Sequence, residues 1–275
     1  MQTFKNFNYA LFGNPINHSK SPLIHKLFKK QTHILHIYKA VNIPLNQFSL
    51  LVYNFFKNNL KGANVTAPFK EEAYFFSNKL TERAKIAHSV NTLKKIDNTT
   101  ILGDNTDGIG LLSDLQRINF IKKGFSILII GAGGAVKGIL FSILSLNCTV
   151  YILNRTLSNA KRLVEQFSKY GNIYIFEKNN FKENYFNLVI NAVSRNVVKE
   201  DFVPLSVLSD QTFFYDMNYD VVDTPFISWS AKIGSKLISN GIGMLVFQAA
   251  YSFLEWHNIF PKTDYIIDIL NKKQS

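Results

Sequence analysis

The stretch 125–156, FSILIIGAGGAVKGILFSILSLNCTVYILNRT, decides how the rest of the chain is read. An uncharged, β-rich run (Ser126–Ile130) ends at Gly131. Glycines recur at 133, 134 and 138, a helical run follows, and a second strand-like run, Thr149–Leu153, closes the unit. Strand, glycine loop, helix and strand in this order form the signature of a dinucleotide-binding βαβ unit. A tight strand-to-helix turn needs residues without a Cβ, so that the backbone can approach a pyrophosphate whose charge meets N–H groups at the helix start. Gly131, Gly133 and Gly134 supply that freedom, with Ala132 and Ala135 between and beyond them. The spacing G-x-G-G-x-x-x-G is a variant of the common G-x-G-x-x-G, with Val136 where the third glycine would fall.

The residues after the second strand bear on which dinucleotide binds. NAD-binding folds place an acid about 20 residues after the first glycine, where it holds the ribose hydroxyls. Here that place reads Asn154-Arg155-Thr156. A guanidinium pairs with a phosphate dianion and stacks on adenine, and no acid is present to repel a 2′-phosphate. The expectation is NADP rather than NAD.

The 275 residues suit two domains. Hydrophobic content of 47% with 18% charge is that of a globular protein. The net charge of +12 is spread as pairs such as Lys29-Lys30, Lys94-Lys95 and Lys122-Lys123, without the basic stripe of a nucleic-acid binder. Such a positive field favours small anionic ligands. The single Cys148, read as part of the second strand, fits a buried thiol in a reducing cytosol. The first twelve residues lack a signal-peptide core, and polar residues interrupt the uncharged run 237–254, so neither leader nor membrane span is expected.

Upstream of the glycine loop, a short apolar run ends in Gly13-Asn14-Pro15 and leads to Ser19 and Ser21, with Pro22 opening a helix. Capping is the ordinary role of such serines, but two hydroxyls two residues apart at a helix entrance can also donate to one carboxylate. A strand at 62–65 delivers Thr66, and Pro68 fixes the chain before Lys70 starts a helix. A lysine there opposes the helix dipole, a local disagreement that hints at function. Asp104-Asn105-Thr106-Asp107 opens the next helix, and capping explains one of the two aspartates. The division between domains is expected near 106: residues 1–106, completed by C-terminal helices in 242–275, form one domain and 107–241 the other. Downstream, further strands end in Asn191-Ala192-Val193-Ser194 and Asp216-Met217-Asn218-Tyr219, as a doubly wound sheet requires. Gln248 stands alone among apolar neighbours in the last long helical run and calls for a polar partner.

Taken in order, GNPINHSKSP, NVTAPFK, SVNTL, GDNTDG, GAGGA, NRT, DMNY and GMLVFQAA resemble the motifs of the shikimate dehydrogenase family, over nearly the whole chain. The resemblance implies an α/β fold of two domains: an N-terminal α/β substrate domain and a Rossmann-like, doubly wound NADP domain. It implies that Ser19, Ser21 and Tyr219 hold the substrate carboxylate, that Thr66, Asn91 and Gln248 bind ring hydroxyls, and that Lys70 and Asp107 form the catalytic pair, with Asp107 also touching a substrate hydroxyl. The cofactor is implied to lie on Gly131, Ala132, Gly133, Gly134 and Ala135 and on Asn154, Arg155 and Thr156, with Met217 and Gly241 near the nicotinamide and Glu82 approaching it. The implied ligands are NADP(H) and shikimate or 3-dehydroshikimate, and a homodimer is an assembly the resemblance admits.

Three positions depart from the family pattern. Val193 stands where the family often has Thr, Asn159 where a second basic residue often helps clamp the 2′-phosphate, and His88 replaces a small residue. Lys161 or Arg162 would substitute for Asn159 if their helix faces the ribose. The six histidines show no metal-ligand spacing, and no metal is expected. Two alternatives stand beside this reading: a quinate/shikimate dehydrogenase of broader substrate or NAD use, and a non-catalytic nucleotide-binding regulator on the same scaffold.

Overall fold

The computed structural model describes residues 7–177, 181, 185–193, 203–219 and 222–272. Ser194, at the end of the Asn191 stretch, lies outside them. Two compact units emerge: 1–110 with 245–267, and 111–244 with 268–275.

The first unit opens with β1 (Tyr9–Gly13), α1 (Ser21–Thr32), β2 (Tyr38–Asn42), α2 (Phe48–Asn58) and β3 (Gly62–Val65). It continues through α3 (Lys70–Phe76), the two-residue β4 (Lys79–Leu80), α4 (Glu82–Ala87), β5 (Thr92–Lys95) and β6 (Ile101–Asp104). The sheet order is β2-β1-β3-β5-β6-β4. β1 runs parallel to β2 and β3, whereas β5 is antiparallel to both β3 and β6. This mixture has a consequence for function: the C-terminal ends of β1, β3 and β6 and the N-terminal end of β5 share one edge of the sheet. The core beneath it is aromatic and aliphatic, with Phe12, Phe48, Val52, Phe55, Phe69 and Leu93 all buried.

The helix α5 (Asp107–Arg117) leads into the second unit, which contains β7 (Ser126–Ile130), α6 (Gly134–Leu144), β8 (Thr149–Leu153), α7 (Leu157–Phe167) and β9 (Ile173–Ile175). β10 (Leu188–Asn191), β11 (Phe213–Asp216), α8 (Pro225–Lys232) and β12 (Ile238–Ser239) follow, and α9 (Ile242–His257) and α10 (Asp264–Lys272) end the chain. The expected divisions at 106 and 242 lie at the N-terminal ends of α5 and α9, and both helices run across the divisions between the compact units. The second sheet is wholly parallel in the order β12-β11-β10-β7-β8-β9. Read from the other edge, that is the 3-2-1-4-5-6 order of a Rossmann fold, with its switch point between β7 and β10. β7 is buried along its whole length, which explains its uncharged sequence.

Several local expectations need adjustment. Cys148 is buried but precedes β8 rather than belonging to it. α2 begins at Phe48, three residues later than the apolar pattern from Leu45 suggests, because Asn46 takes a left-handed turn before it. His88 caps the C-terminus of α4 in the left-handed region and stacks on Tyr74 at 5.2 Å, which gives that departure a packing role. Among the described residues no helix is long and apolar enough to cross a membrane.

Candidate active site

At the shared edge of the first sheet, Lys70 is the first residue of α3 and Asp107 the first of α5. Lys70 Nζ donates to Asp107 Oδ2 at 2.5 Å, with side-chain exposures of 21% and 8%. An ammonium at a helix N-terminus is disfavoured by about 0.3–1 kcal/mol, and the carboxylate offsets that cost. Both acidic residues next in the chain, Glu71 and Glu72, also lie in the first turn of α3.

The other carboxylate oxygen is held as well. Asn91 Nδ2 donates to Asp107 Oδ1 at 2.7 Å and to Thr106 Oγ1 at 3.0 Å. The orientation of the Asn91 carboxamide follows from its other end, where Oδ1 accepts the Thr106 N–H at 2.9 Å and the Thr92 hydroxyl at 2.8 Å. Gln248 Oε1 sits 3.5 Å from Asn91 Nδ2, and Gln248 Nε2 donates to the Leu245 carbonyl at 2.8 Å. The polar partners that an isolated glutamine demands are thus a backbone carbonyl and the edge of the Asn91 cluster.

The loop after β1 brings Ser19 and Ser21 together, their hydroxyl oxygens 3.2 Å apart. Ser21 begins α1, and neither serine is its N-cap, since that position is Lys20. Ser19 Oγ also accepts the Ser21 N–H at 3.2 Å, so the motif is a compact donor pair. Thr66 follows β3, its N–H bonded to Phe12 O at 2.8 Å, which ties the β3 exit to β1. Ser19, Ser21, Thr66, Lys70, Asn91, Asp107 and Gln248 all belong to the first unit. Glu82 belongs to it too, exposed at the start of α4 and paired with Lys85 at 3.5 Å.

A second ion pair anchors the loop leading to Asp107. Arg83 clasps the buried Asp104 through two nitrogens, Nε to Oδ1 at 2.7 Å and Nη2 to Oδ2, and Thr81 Oγ1 donates to the same carboxylate at 2.5 Å. Asn105 then caps α5 by accepting the Asp107 N–H at 3.1 Å. The two aspartates of the Asp104-Asn105-Thr106-Asp107 stretch therefore divide their work: Asp104 fastens the loop, and Asp107 faces the lysine.

In the second unit the glycine loop leaves β7 at the switch point. Gly131 has φ +118°, and a Cβ there would lie 3.3 Å from the Ala192 backbone and from Val193 at the end of β10. Only glycine meets both conditions without strain. At Gly133 and Gly134 a Cβ would meet nothing within 4 Å, so internal packing does not require glycine there. Bare backbone facing open space at a helix start without a side-chain cap fits a pyrophosphate. Ala132 and Ala135 flank that backbone.

Beyond β8, Asn154 Nδ2 donates to Thr156 O at 2.8 Å and closes the turn before α7. Arg155 is exposed, and no carboxylate among the described residues pairs with it. Lys161 and Arg162 are exposed on α7, opposite its buried Ala160, Leu163 and Phe167. These residues fit a 2′-phosphorylated dinucleotide. The end of β11 is fixed by Asp216, whose carboxylate accepts from Asn191 Nδ2 at 3.0 Å, Asn218 Nδ2 at 2.8 Å and Thr224 Oγ1. Burial pushes the Asp216 carboxyl up, and these donors oppose the rise. Met217 follows, packed so closely against Gly241 that a Cβ on that glycine would lie 2.3 Å from Met217 O. Tyr219, two residues further on, also lies in the second unit.

One constellation had no signal in the spacing. His36 bonds through Nδ1 to His257 Nε2 at 3.0 Å and through Nε2 to His25 Nδ1 at 3.0 Å. The rings form a linear chain, and among the described residues no group of three or more His, Cys, Asp or Glu is arranged to hold a metal ion. Burial leads in depressing all three: His25 falls well below the ordinary range, His36 to about 3 and His257 to about 4.

A Rossmann sheet with a bare glycine loop at its switch point, together with a lysine–carboxylate pair at the strand ends of another α/β unit, defines a dinucleotide-dependent dehydrogenase of the two-unit class. Family models agree: residues 11–93 match the shikimate dehydrogenase substrate binding domain, and residues 115–212 match shikimate / quinate 5-dehydrogenase. A shikimate dehydrogenase (NADP(+)) of Buchnera aphidicola subsp. Schizaphis graminum is 70% identical over 99% of this chain and 100% of its own. The protein of that name from Buchnera aphidicola subsp. Baizongia pistaciae is 51% identical over 96% of each chain. Among solved structures, shikimate 5-dehydrogenase from Thermus thermophilus in complex with NADP(H) and shikimate aligns with a TM-score of 0.84 at 25% identity, covering 96% of this chain and 98% of that one. An Ael1 enzyme from Pseudomonas putida aligns with the same TM-score at 33% identity, covering 95% and 97%. The chain belongs to the shikimate dehydrogenase family.

Proposed function

We propose that the protein is an NADP-dependent shikimate dehydrogenase, interconverting 3-dehydroshikimate and shikimate in the biosynthesis of aromatic amino acids. The observation that carries the reading is the Lys70–Asp107–Asn91 cluster at the edge of the first sheet, in a chain 70% identical to a relative named for this activity. An ammonium beside two groups able to bind hydroxyls suits a polyhydroxylated ring, and the paired Ser19 and Ser21 hydroxyls suit its carboxylate.

NADPH, when bound, supplies the hydride to the carbonyl carbon. As negative charge builds on the carbonyl oxygen, Lys70 stabilises it and delivers a proton, and in the oxidative direction Lys70 takes the proton from the hydroxyl. Asp107 orients Lys70 through Oδ2 and presents Oδ1, shared with Asn91, to a neighbouring hydroxyl. Thr66 and Gln248 hold further ring hydroxyls. The loop Gly131 to Ala135, with Ala132, holds the pyrophosphate. Asn154, Arg155 and Thr156 hold the adenosine end, and Met217 and Gly241 the nicotinamide end. A cytosolic setting and a homodimer belong to the same reading, the former supported by the buried, unpaired Cys148.

Initial rates with shikimate and quinate, each with NADP and NAD, test the proposal. It expects shikimate with NADP to be the preferred pair. Comparable rates with quinate or NAD would favour the broader dehydrogenase, and no turnover with any pair would favour a non-catalytic regulator.

A further inference from the structure

Behind the Lys70–Asp107 pair lies a buried polar chain that the proposed chemistry does not use. It begins at Asn64 on β3, which is 5% exposed. Asn64 Oδ1 accepts the Tyr38 hydroxyl at 2.9 Å. The amide nitrogen faces Ser252 Oγ at 2.9 Å, the Asn91 carbonyl at 3.1 Å and Thr92 Oγ1 at 3.2 Å. The Asn91 carbonyl can only accept, so it selects the N–H side of the carboxamide, and the Tyr38 O–H selects the oxygen side.

Two routes carry this orientation to the catalytic carboxylate. One is the direct bond from Asn64 to the Asn91 main chain. The other passes through the Thr92 hydroxyl, which lies between Asn64 Nδ2 and Asn91 Oδ1 and so helps aim Asn91 Nδ2 at Asp107 Oδ1. Tyr38 is itself pinned: His25 stacks on its ring at 3.9 Å and 11°, and His25 is fixed in turn by His36 and, through it, His257. Burial pushes the Tyr38 hydroxyl well above its ordinary pKa, so it stays a donor.

We propose that Tyr38 is a positioning residue for the reaction: its hydroxyl, held by the stacked His25 ring, sets the Asn64 carboxamide and through it the grip of Asn91 on Asp107. This rests on the dehydrogenase reading above. The buried histidine chain then acts as the rigid backing of the tyrosine. Removing the hydroxyl takes that donor from Asn64 Oδ1 and slackens the carboxamide, whose Nδ2 still bonds Ser252, the Asn91 carbonyl and Thr92, and so loosens Asn91 at a distance from the substrate.

A double-mutant cycle tests the proposal, with turnover of the wild-type enzyme on shikimate and NADP deciding the underlying reading independently. Tyr38→Phe is expected to lower kcat/KM for shikimate about tenfold and to leave the KM for NADP unchanged. Asn64→Ala should cost at least as much, and adding Tyr38→Phe to it should cost nothing further, because the hydroxyl acts only through that carboxamide. Additive losses, a parallel rise in the NADP KM, or unchanged kinetics accompanied only by a lower Tm would overturn the proposal. Tyr38→Met, which also lacks the donor, enters the same cycle if the phenylalanine variant does not fold.

Discussion

Lys70 Nζ lies 2.5 Å from Asp107 Oδ2, and the partner oxygen of the same carboxylate is taken by Asn91 at 2.7 Å. One carboxylate therefore orients the lysine ammonium and is itself oriented by an amide. The prediction is that Asp107→Asn lowers kcat for shikimate oxidation about a hundredfold, since the amide keeps the shape and loses the charge that holds the ammonium. Steady-state kinetics check this, and a loss confined to KM would assign Asp107 to binding alone.

Arg155 is exposed just after β8 in the glycine-loop unit, with no carboxylate of the described residues to neutralise it. Arg155→Ala should raise the KM for NADP about ten- to a hundredfold, the worth of a charge-assisted pair, and leave NAD kinetics unchanged. Equal effects on both cofactors would show that the side chain does not read the 2′-phosphate. Asn159 cannot compensate, because it carries no charge.

Breaking the Arg83–Asp104 clasp should make the protein unfold more easily. Asp104 is 1% exposed, so Arg83→Met strands a buried carboxylate at a cost of about 3 kcal/mol. Urea denaturation reads this as a lower midpoint at unchanged slope. A change below about 0.5 kcal/mol would mean the pair is screened like a surface bridge.

The histidine chain predicts an acid-sensitive fold. His36 and His257 are held down to about 3 and about 4, mainly by burial, with Lys29, Lys61 and Lys94 adding to it, and His25 lies well below the ordinary range. The unfolded chain binds these protons near pH 6.5, so it takes up more protons than the native state below that value. Stability is full above pH 6.5 and declines as pH falls toward 4. Tm measured across that interval should drop, and His257→Gln should flatten the slope. An unchanged slope in the variant would place the acid sensitivity elsewhere.

The features legible in the sequence are local ones. Gly131, Gly133 and Gly134 follow a strand and open a helix within a few residues, and Lys70 and Asp107 each sit at a helix start that Pro68 or Asn105 announces. What stayed hidden depends on tertiary approach. His25, His36 and His257 meet because α1, the approach to β2 and the end of α9 converge, and no spacing rule connects them. β4 and β12 are two residues each, too short for any alternation to register. The role of His88 needed the Tyr74 ring, fourteen positions earlier and on another helix.

In the proposed reaction Lys70 moves the proton. The direct test is kcat of Lys70→Ala at saturating shikimate and NADP. A fall of about a hundred- to ten-thousandfold is expected, with a far smaller change in KM. Undiminished turnover in that variant would contradict it.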